Sequence, residues 1–287
     1  MNPFSLYLEQ LRTNSEFAHL EQVVQKELFH QDILAHMSRN RYFDQLTFIG
    51  GTAIRLCYGG ERLSEDLDFT GGKSFSLDSM ETFSLDIKVF LEKKYKIPVE
   101  VTPPIQDRTN TRTWKIQIIT DPEHPHIPKQ KIHIDIALIN SYHRQLMTIQ
   151  NRYQIPSPAQ NMLIPVESAS EIFTDKVIAL AFRGGVRNPI KGRDLFDIHV
   201  FHGQGISKVV PEFQDKLSDH GRTIDEFRDG MKYKIERMKS DPGVKKLFEQ
   251  EMQRFLPLSL YHQTVAQSGF FEYVVNLVEG QAGKLQV

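Results

Sequence analysis

The stretch from Phe48 to Phe69, FIGGTAIRLCYGGERLSEDLDF, constrains this chain more than any other. An apolar lead-in runs into Gly50-Gly51, a pair that permits unusual backbone angles or the close approach of a ligand. A short helical run follows, with Thr52 read as its N-cap and Gly59-Gly60 as its stop. Ser64-x-Asp66-x-Asp68 then reads as part of a strand. Strand side chains alternate between faces, so Ser64, Asp66 and Asp68 are expected to project together while Leu67 and Phe69 enter a core. Leu63 is expected near the turn into that strand. Two carboxylates on one face repel, and no packing requirement asks for them. A divalent cation such as magnesium, which takes oxygen ligands, makes the arrangement favourable.

Around this stretch the chain reads as a mixed α/β half followed by a helical half. Residues 3–39 carry a mostly apolar stripe at helical spacing through Leu20, Val24, Leu28 and Leu34. Leu46–Ile49 is a buried strand, Leu77–Tyr95 a helix with Met80, Phe83, Ile87, Phe90 and Leu91 inward, and Ile97–Val101 a strand stopped by Pro103-Pro104. Arg112–Thr120 and Lys131–Leu138 alternate as an antiparallel pair, the second with Ile132, Ile134 and Ile136 on one face and Lys131, His133 and Asp135 on the other. Gln154–Val166 reads as a proline-dotted connector. Beyond it, Ser168-x-x-Glu171 and Thr223-x-x-Glu226 are capping boxes, Asp241-Pro242 opens a further helix, and Ser259–Val278 completes the set. The division predicted is residues 1–155 and 156–287.

Composition narrows the classes. A net charge of -1 over 287 residues means that a nucleic-acid partner must be met by a local basic patch. Cys57 alone excludes a disulfide framework and a cysteine zinc site. The N-terminus lacks the pattern of a signal peptide, and no run reaches the ~20 apolar residues of a membrane helix. The expected location is cytoplasmic.

Asp66, Asp68 and Asp135 thus stand on polar strand faces. Two metal ions clamped by such a trio align a nucleotide's phosphates for in-line attack. The Gly50-Gly51 turn at a helix start offers N–H groups to a triphosphate, and Ser64 or Thr52 adds a hydroxyl. The histidines show no tight metal-ligand spacing: His124 and His126 read as exposed loop residues, while His133, on the face of Asp135, reads either as a strand-surface residue or as one that reaches the site; Cys57 reads as core.

The Gly-Gly pair followed by Arg62-x-Ser64-x-Asp66-x-Asp68-Phe69 resembles the nucleotidyltransferase superfamily. More narrowly, Glu171-x-x-x-x-Lys176-x-x-Ala179-Leu180-x-x-Arg183 and Arg193-Asp194-Leu195-Phe196-Asp197 look like the later motifs of its AbiEii/AbiGii toxin branch, which includes the MenT toxins. The resemblance spans roughly residues 45–202. It implies an α/β (α+β) fold with a nucleotidyltransferase-like mixed sheet, flanking helices and a helical C-terminal domain. It also implies that Asp66 and Asp68 hold magnesium, with Asp135 in the place of the third carboxylate. Gly50, Gly51, Thr52 and Ser64 would contact the NTP; Lys176, with Arg183 on the same helix face, would neutralise phosphate charge. Asp194 would be an essential acid that organises the acceptor or acts as a base, and the site would close between the two halves. Asp197 is expected in a surface ion pair with Arg193. The activity implied is transfer of a nucleoside monophosphate to the 3′ end of tRNA by a toxin paired with an antitoxin. A protein or small-molecule acceptor, and a nucleotide-binding module without turnover, are the rivals. For an RNA acceptor, the run Lys232, Lys234, Arg237, Lys239, Lys245 and Lys246, with Arg183, Arg187, Lys191 and Arg193, supplies backbone contacts.

Overall fold

The computed structural model describes residues 18–105, 110–124, 126, 128–150, 157–183 and 190–285. The expected helix over residues 3–17, Arg187 and residues 154–156 of the connector lie outside this set. The chain divides into two compact units, one of Met1–Gly59 and Leu63–Glu167, the other of Gly60–Arg62 and Ser168–Val287.

The first unit is a mixed sheet flanked by helices. Its strands are β1 (Thr47–Ile49), β2 (Leu67–Thr70), β3 (Val99–Thr102), β4 (Thr111–Ile118), β5 (Gln130–Ala137), β6 (Arg144–Thr148) and β7 (Leu163–Glu167). Their order is β3-β4-β5-β2-β1-β7-β6. β4 and β5 pair antiparallel as their alternation predicts, and β2 lies parallel to β5 and antiparallel to β1. Phe48, Leu67, Phe69, Ile132, Ile134 and Ile136 are fully buried.

Helices α1 (Glu21–Arg39), α2 (Gly50–Cys57) and α3 (Phe83–Tyr95) complete this unit. Burial on α1 extends well beyond its apolar stripe to Gln25, Glu27, His30, Gln31 and Asp32. A buried polar group needs a partner, and four of these have one: Glu27 pairs with Arg55, Asp32 with Lys94 and Tyr95, Gln25 with Gln130, and His30 with the Glu65 carbonyl.

Several sequence expectations are corrected. β2 begins at Leu67, so Ser64 and Asp66 lie in the extended segment before it. α2 starts at Gly50 with Ile49 as its N-cap, which puts Thr52 inside the helix. Leu77–Met80 is a separate 3-10 turn before α3. The connector ends in β7, masked in sequence by Pro165. β7 meets β1 only at Phe48↔Val166, so a proline there costs few ladder bonds.

The second unit is helical: α4 (Ala169–Phe182), α5 (Gly192–Gly203), α6 (Phe213–Asp219), α7 (Ile224–Ser240), α8 (Pro242–Gln253), α9 (Leu258–Gln263) and α10 (Phe270–Lys284). Thr223 and Glu226 form the full capping box. Ser168 caps α4 through Glu171 N, but the Glu171 carboxylate does not reach back: it pairs with buried Lys216 at 2.8 Å. α6 was not expected, and 259–278 is two helices, broken where Gly269 adopts φ 82.

Candidate active site

In the first unit, the parallel register places Asp68 directly beside Asp135. Both sit on the polar face, opposite buried Leu67, Phe69, Ile134 and Ile136. Thr113, the cross-strand partner of Asp135, donates its hydroxyl to Asp135 Oδ1 at 2.6 Å. Gly50, at φ 78, leads into α2 against this pair: a Cβ built on it would stand 2.3 Å from Asp68 Oδ2. Only glycine permits both the backbone angle and the approach.

Asp66 lies ahead of β2, where no ladder fixes it. Its carboxylate Oδ1 accepts from His133 N at 3.0 Å and stands 3.1 Å from His133 Nδ1. Its carbonyl accepts from the Thr52 hydroxyl. Thr52 is therefore an anchor for the acidic segment. Gly51 and Ser64 are buried close by in sequence, Ser64 at 7% exposure.

In the second unit, three cations and two carboxylates alternate. Arg62 grips Asp197 with Nε at 2.9 Å and a terminal nitrogen at 2.8 Å. Asp197 also takes Lys176 at 2.9 Å, and Lys176 reaches Asp194 at 3.0 Å. Arg183 holds the other Asp194 oxygen at 2.8 Å. All but Arg183 are almost wholly buried, with the Lys176 side chain 12% exposed. Burial opposes the Lys176 charge, yet Asp197 and Asp194 outweigh it and hold the ammonium above its ordinary range. Burial likewise opposes ionised Asp197, but Arg62 and Lys176 keep its carboxyl below the usual range. The cluster carries one surplus positive charge at neutral pH. Its exposed member, Arg183, presents that charge to solvent.

Lys176 and Arg183, which the spacing pairs, both reach Asp194, one on each carboxylate oxygen. Asp197, in contrast, is not on the surface: it bonds Arg62 and Lys176, while Arg193 bonds Glu251 at 3.0 Å and stacks on Phe255. Half of the basic run is paired with acids. Lys239 pairs with Glu279, Lys245 with Glu272 and Arg237 with Asp241, while buried Lys234 donates to the Arg183 carbonyl. Cys57 is core as expected, its thiol pushed up to about 12 by burial. His124 meets Asp121 at 2.9 Å and stands edge-on to His126.

The family model described as nucleotidyl transferase AbiEii toxin, type IV toxin–antitoxin system, matches residues 32–267. The chain belongs to this AbiEii family. In structure it is similar to MenT4, a nucleotidyltransferase toxin of Mycobacterium tuberculosis H37Rv, over 98% of both chains at 15% identity and a TM-score of 0.53. It is also similar to JHP933 from Helicobacter pylori, over 92% of both chains at 17% identity and a TM-score of 0.48. No curated protein matches the sequence. The AbiEii chain is thus a nucleotidyltransferase, of a toxin family that implies an antitoxin partner and an NTP substrate. No helix among the described residues is long and apolar enough to cross a membrane.

A divalent cation used with that NTP fits the donors of this AbiEii chain. Among the described residues, no three His, Cys, Asp or Glu side chains close into a ready-made metal cluster. Magnesium asks less: one or two carboxylates, with substrate phosphates and water completing the octahedron. Asp68 beside Asp135, with Asp66 Oδ2 making no bond among the described residues, meets that demand.

Sequence reasoning missed two supporting residues of this AbiEii chain, Thr113 and Arg62, and left a third, His133, open between the surface and the site. Thr113 was legible as the residue that faces Asp135 once β4 and β5 are put in register. Arg62 stands inside the acidic motif, and no packing requirement places an arginine there. His133 shares the Asp135 face of β5, but spacing alone gives no reason to join it to Asp66.

Proposed function

We propose that this chain is a magnesium-dependent toxin that transfers a nucleoside monophosphate from an NTP to an acceptor hydroxyl, the 3′ end of tRNA, in the cytoplasm. A cognate antitoxin protein would hold it in check. The observation that carries this reading is the register of Asp68 beside Asp135, with Gly50 against the Asp68 carboxylate.

Asp66, Asp68 and Asp135 are assigned to the cation. When bound, magnesium supplies neutralisation of charge on the triphosphate. Gly50 and Gly51 offer first-turn N–H groups of α2 to phosphate oxygens, and Ser64 is assigned to the same phosphates. Thr52 acts through Asp66. Lys176 and Arg183 are assigned to the negative charge of the phosphates, and Asp194 holds these two cations in place. The acceptor oxygen attacks the α-phosphorus, the bond to the bridging oxygen breaks, and pyrophosphate leaves.

The test is incubation with each labelled NTP, magnesium and total RNA. Label is expected in the tRNA fraction, with pyrophosphate released, and Asp66→Ala should abolish it. Label in protein or in a small molecule would move the acceptor. No transfer from any of the nucleotides would end the reading.

A further inference from the structure

We propose that His133 is a positioning residue for Asp66, saturating one carboxylate oxygen so that the other is presented to a divalent cation. The assignment rests on the metal-assisted reading above and names the residue that makes Asp66 fit for it.

Asp66 needs such a residue because of where it lies. It precedes β2, so its main chain is outside the ladder that fixes Asp68. Side chains take over that task. From α1, Lys26 reaches Glu65 Oε1 at 2.7 Å, and His30 Nε2 donates to the Glu65 carbonyl at 3.0 Å. From α2, Thr52 donates to the Asp66 carbonyl. These bonds fix the backbone on both sides of the peptide but leave the Asp66 side-chain torsions open.

His133 closes them. Its backbone N–H and its ring Nδ1–H both address Oδ1, at 3.0 and 3.1 Å. Two donors on one oxygen stop the carboxylate from turning, and they leave Oδ2 without a bond among the described residues. The pair is open to a ligand, with side chains 41% and 36% exposed for His133 and Asp66. Alternation along β5 puts His133 on the face of Asp135, two residues on, and Asp135 lies beside Asp68. The oriented oxygen therefore belongs to the same polar face as the other two carboxylates. Such hydrogen-bonded supports of metal ligands set affinity, and their loss costs on the order of 10- to 100-fold. A strand histidine that merely covers surface would have no such effect.

Three variants separate the roles. Asn places an amide nitrogen where imidazole carries Nδ1, Gln places it where Nε2 lies, and Ala removes the donor while keeping the backbone N–H. The readouts are Mn2+ binding to the full chain without nucleotide, followed by electron paramagnetic resonance, and the magnesium concentration that half-activates transfer. Metal-free melting serves as the control. His133→Ala and His133→Gln should weaken Mn2+ binding and raise the magnesium requirement by about 10-fold or more, with His133→Asn returning both to within a few-fold of the parent. Melting should be alike in all. Unchanged Mn2+ binding in His133→Ala, or equal impairment in His133→Asn, overturns the assignment alone. A parent chain that transfers nucleotide without binding Mn2+ or magnesium overturns it together with the metal reading.

Discussion

Gly50 touches the Asp68 carboxylate so closely that a side chain at residue 50 has no space: a Cβ would meet Oδ2 at 2.3 Å. The contact follows from register, since Ile49 on β1 is the partner of Asp68 on β2 and the chain turns into α2 at the next residue. The first turn of the helix and the acidic strand thus cannot move independently. Gly50→Ala should therefore fail twice. The φ of 78 strains any L residue and should cost more than about 1 kcal/mol in urea unfolding. Displacement of Asp68 should also reduce nucleotidyl transfer far beyond what that loss of folded protein explains. Normal transfer by the folded fraction would contradict the coupling.

Thr52 was expected to cap α2 and meet the nucleotide, and its hydroxyl instead serves Asp66. Thr52→Ser keeps that donor, while Thr52→Val keeps only the shape. The valine variant should lose about 1–3 kcal/mol of stability, the cost of an unmet buried hydrogen bond, and transfer should fall with it. The serine variant should retain most of both. If serine and valine behave alike in kcat, the hydroxyl is not what positions the acidic segment.

In the second unit, the Arg62–Asp197 pair and the Lys176–Asp194–Arg183 bridge make separable predictions. Asp197→Ala leaves Arg62 and Lys176 buried beside a missing charge, and removal of one member of a buried pair costs about 3–5 kcal/mol. Denaturant unfolding should show that loss directly. Asp194→Asn keeps the shape and gives up a charged partner of Lys176 and Arg183, about 1.5–3 kcal/mol of positioning. Read as barrier height, that slows transfer by about 10- to 150-fold. If Asp194 instead takes the acceptor's proton, Asp194→Asn removes the acidic limb of the pH–rate profile; as a holder of cations it leaves that limb in place.

How much of this was legible depends on the range of the interaction. Alternation exposes Asp68 and Asp135 as polar-face residues, and the seven-residue spacing brings Lys176 and Arg183, just past the end of α4, to the same Asp194, because each rule is local. Asp197 was misread because its partner, Arg62, lies 135 residues away in sequence, and spacing within α5 offered only Arg193. Asp66 was placed in a strand because the period of two continues through Ser64. What interrupts the strand is a set of bonds from Lys26, His30, Thr52 and His133, none visible from the period itself. β7 escaped because a proline usually ends a strand, and here the ladder on one side is short.

His30 makes the first unit sensitive to acid. The ring is fully buried, and burial depresses its pKa from 6.5 to about 4 against the smaller opposing effects of the Glu65 carbonyl and Asp66. Its Nε2–H donates to Glu65 O, while Nδ1 is buried with no partner among the described residues, so a second ring proton has no acceptor and the neutral form is the one that folds. Below pH 6.5 the unfolded chain takes up a proton that the folded chain refuses until about pH 4. The stability due to this group is full above 6.5 and is lost progressively as pH falls toward 4. A difference of that size is worth roughly 3 kcal/mol. Urea midpoints measured across this range should decline on acidification, in addition to the decline from carboxylates. His30→Gln keeps a donor for the Glu65 carbonyl and cannot be protonated, so its decline should be shallower by that amount. Equal slopes for parent and variant would mean that His30 is not what couples the Asp66 segment to pH.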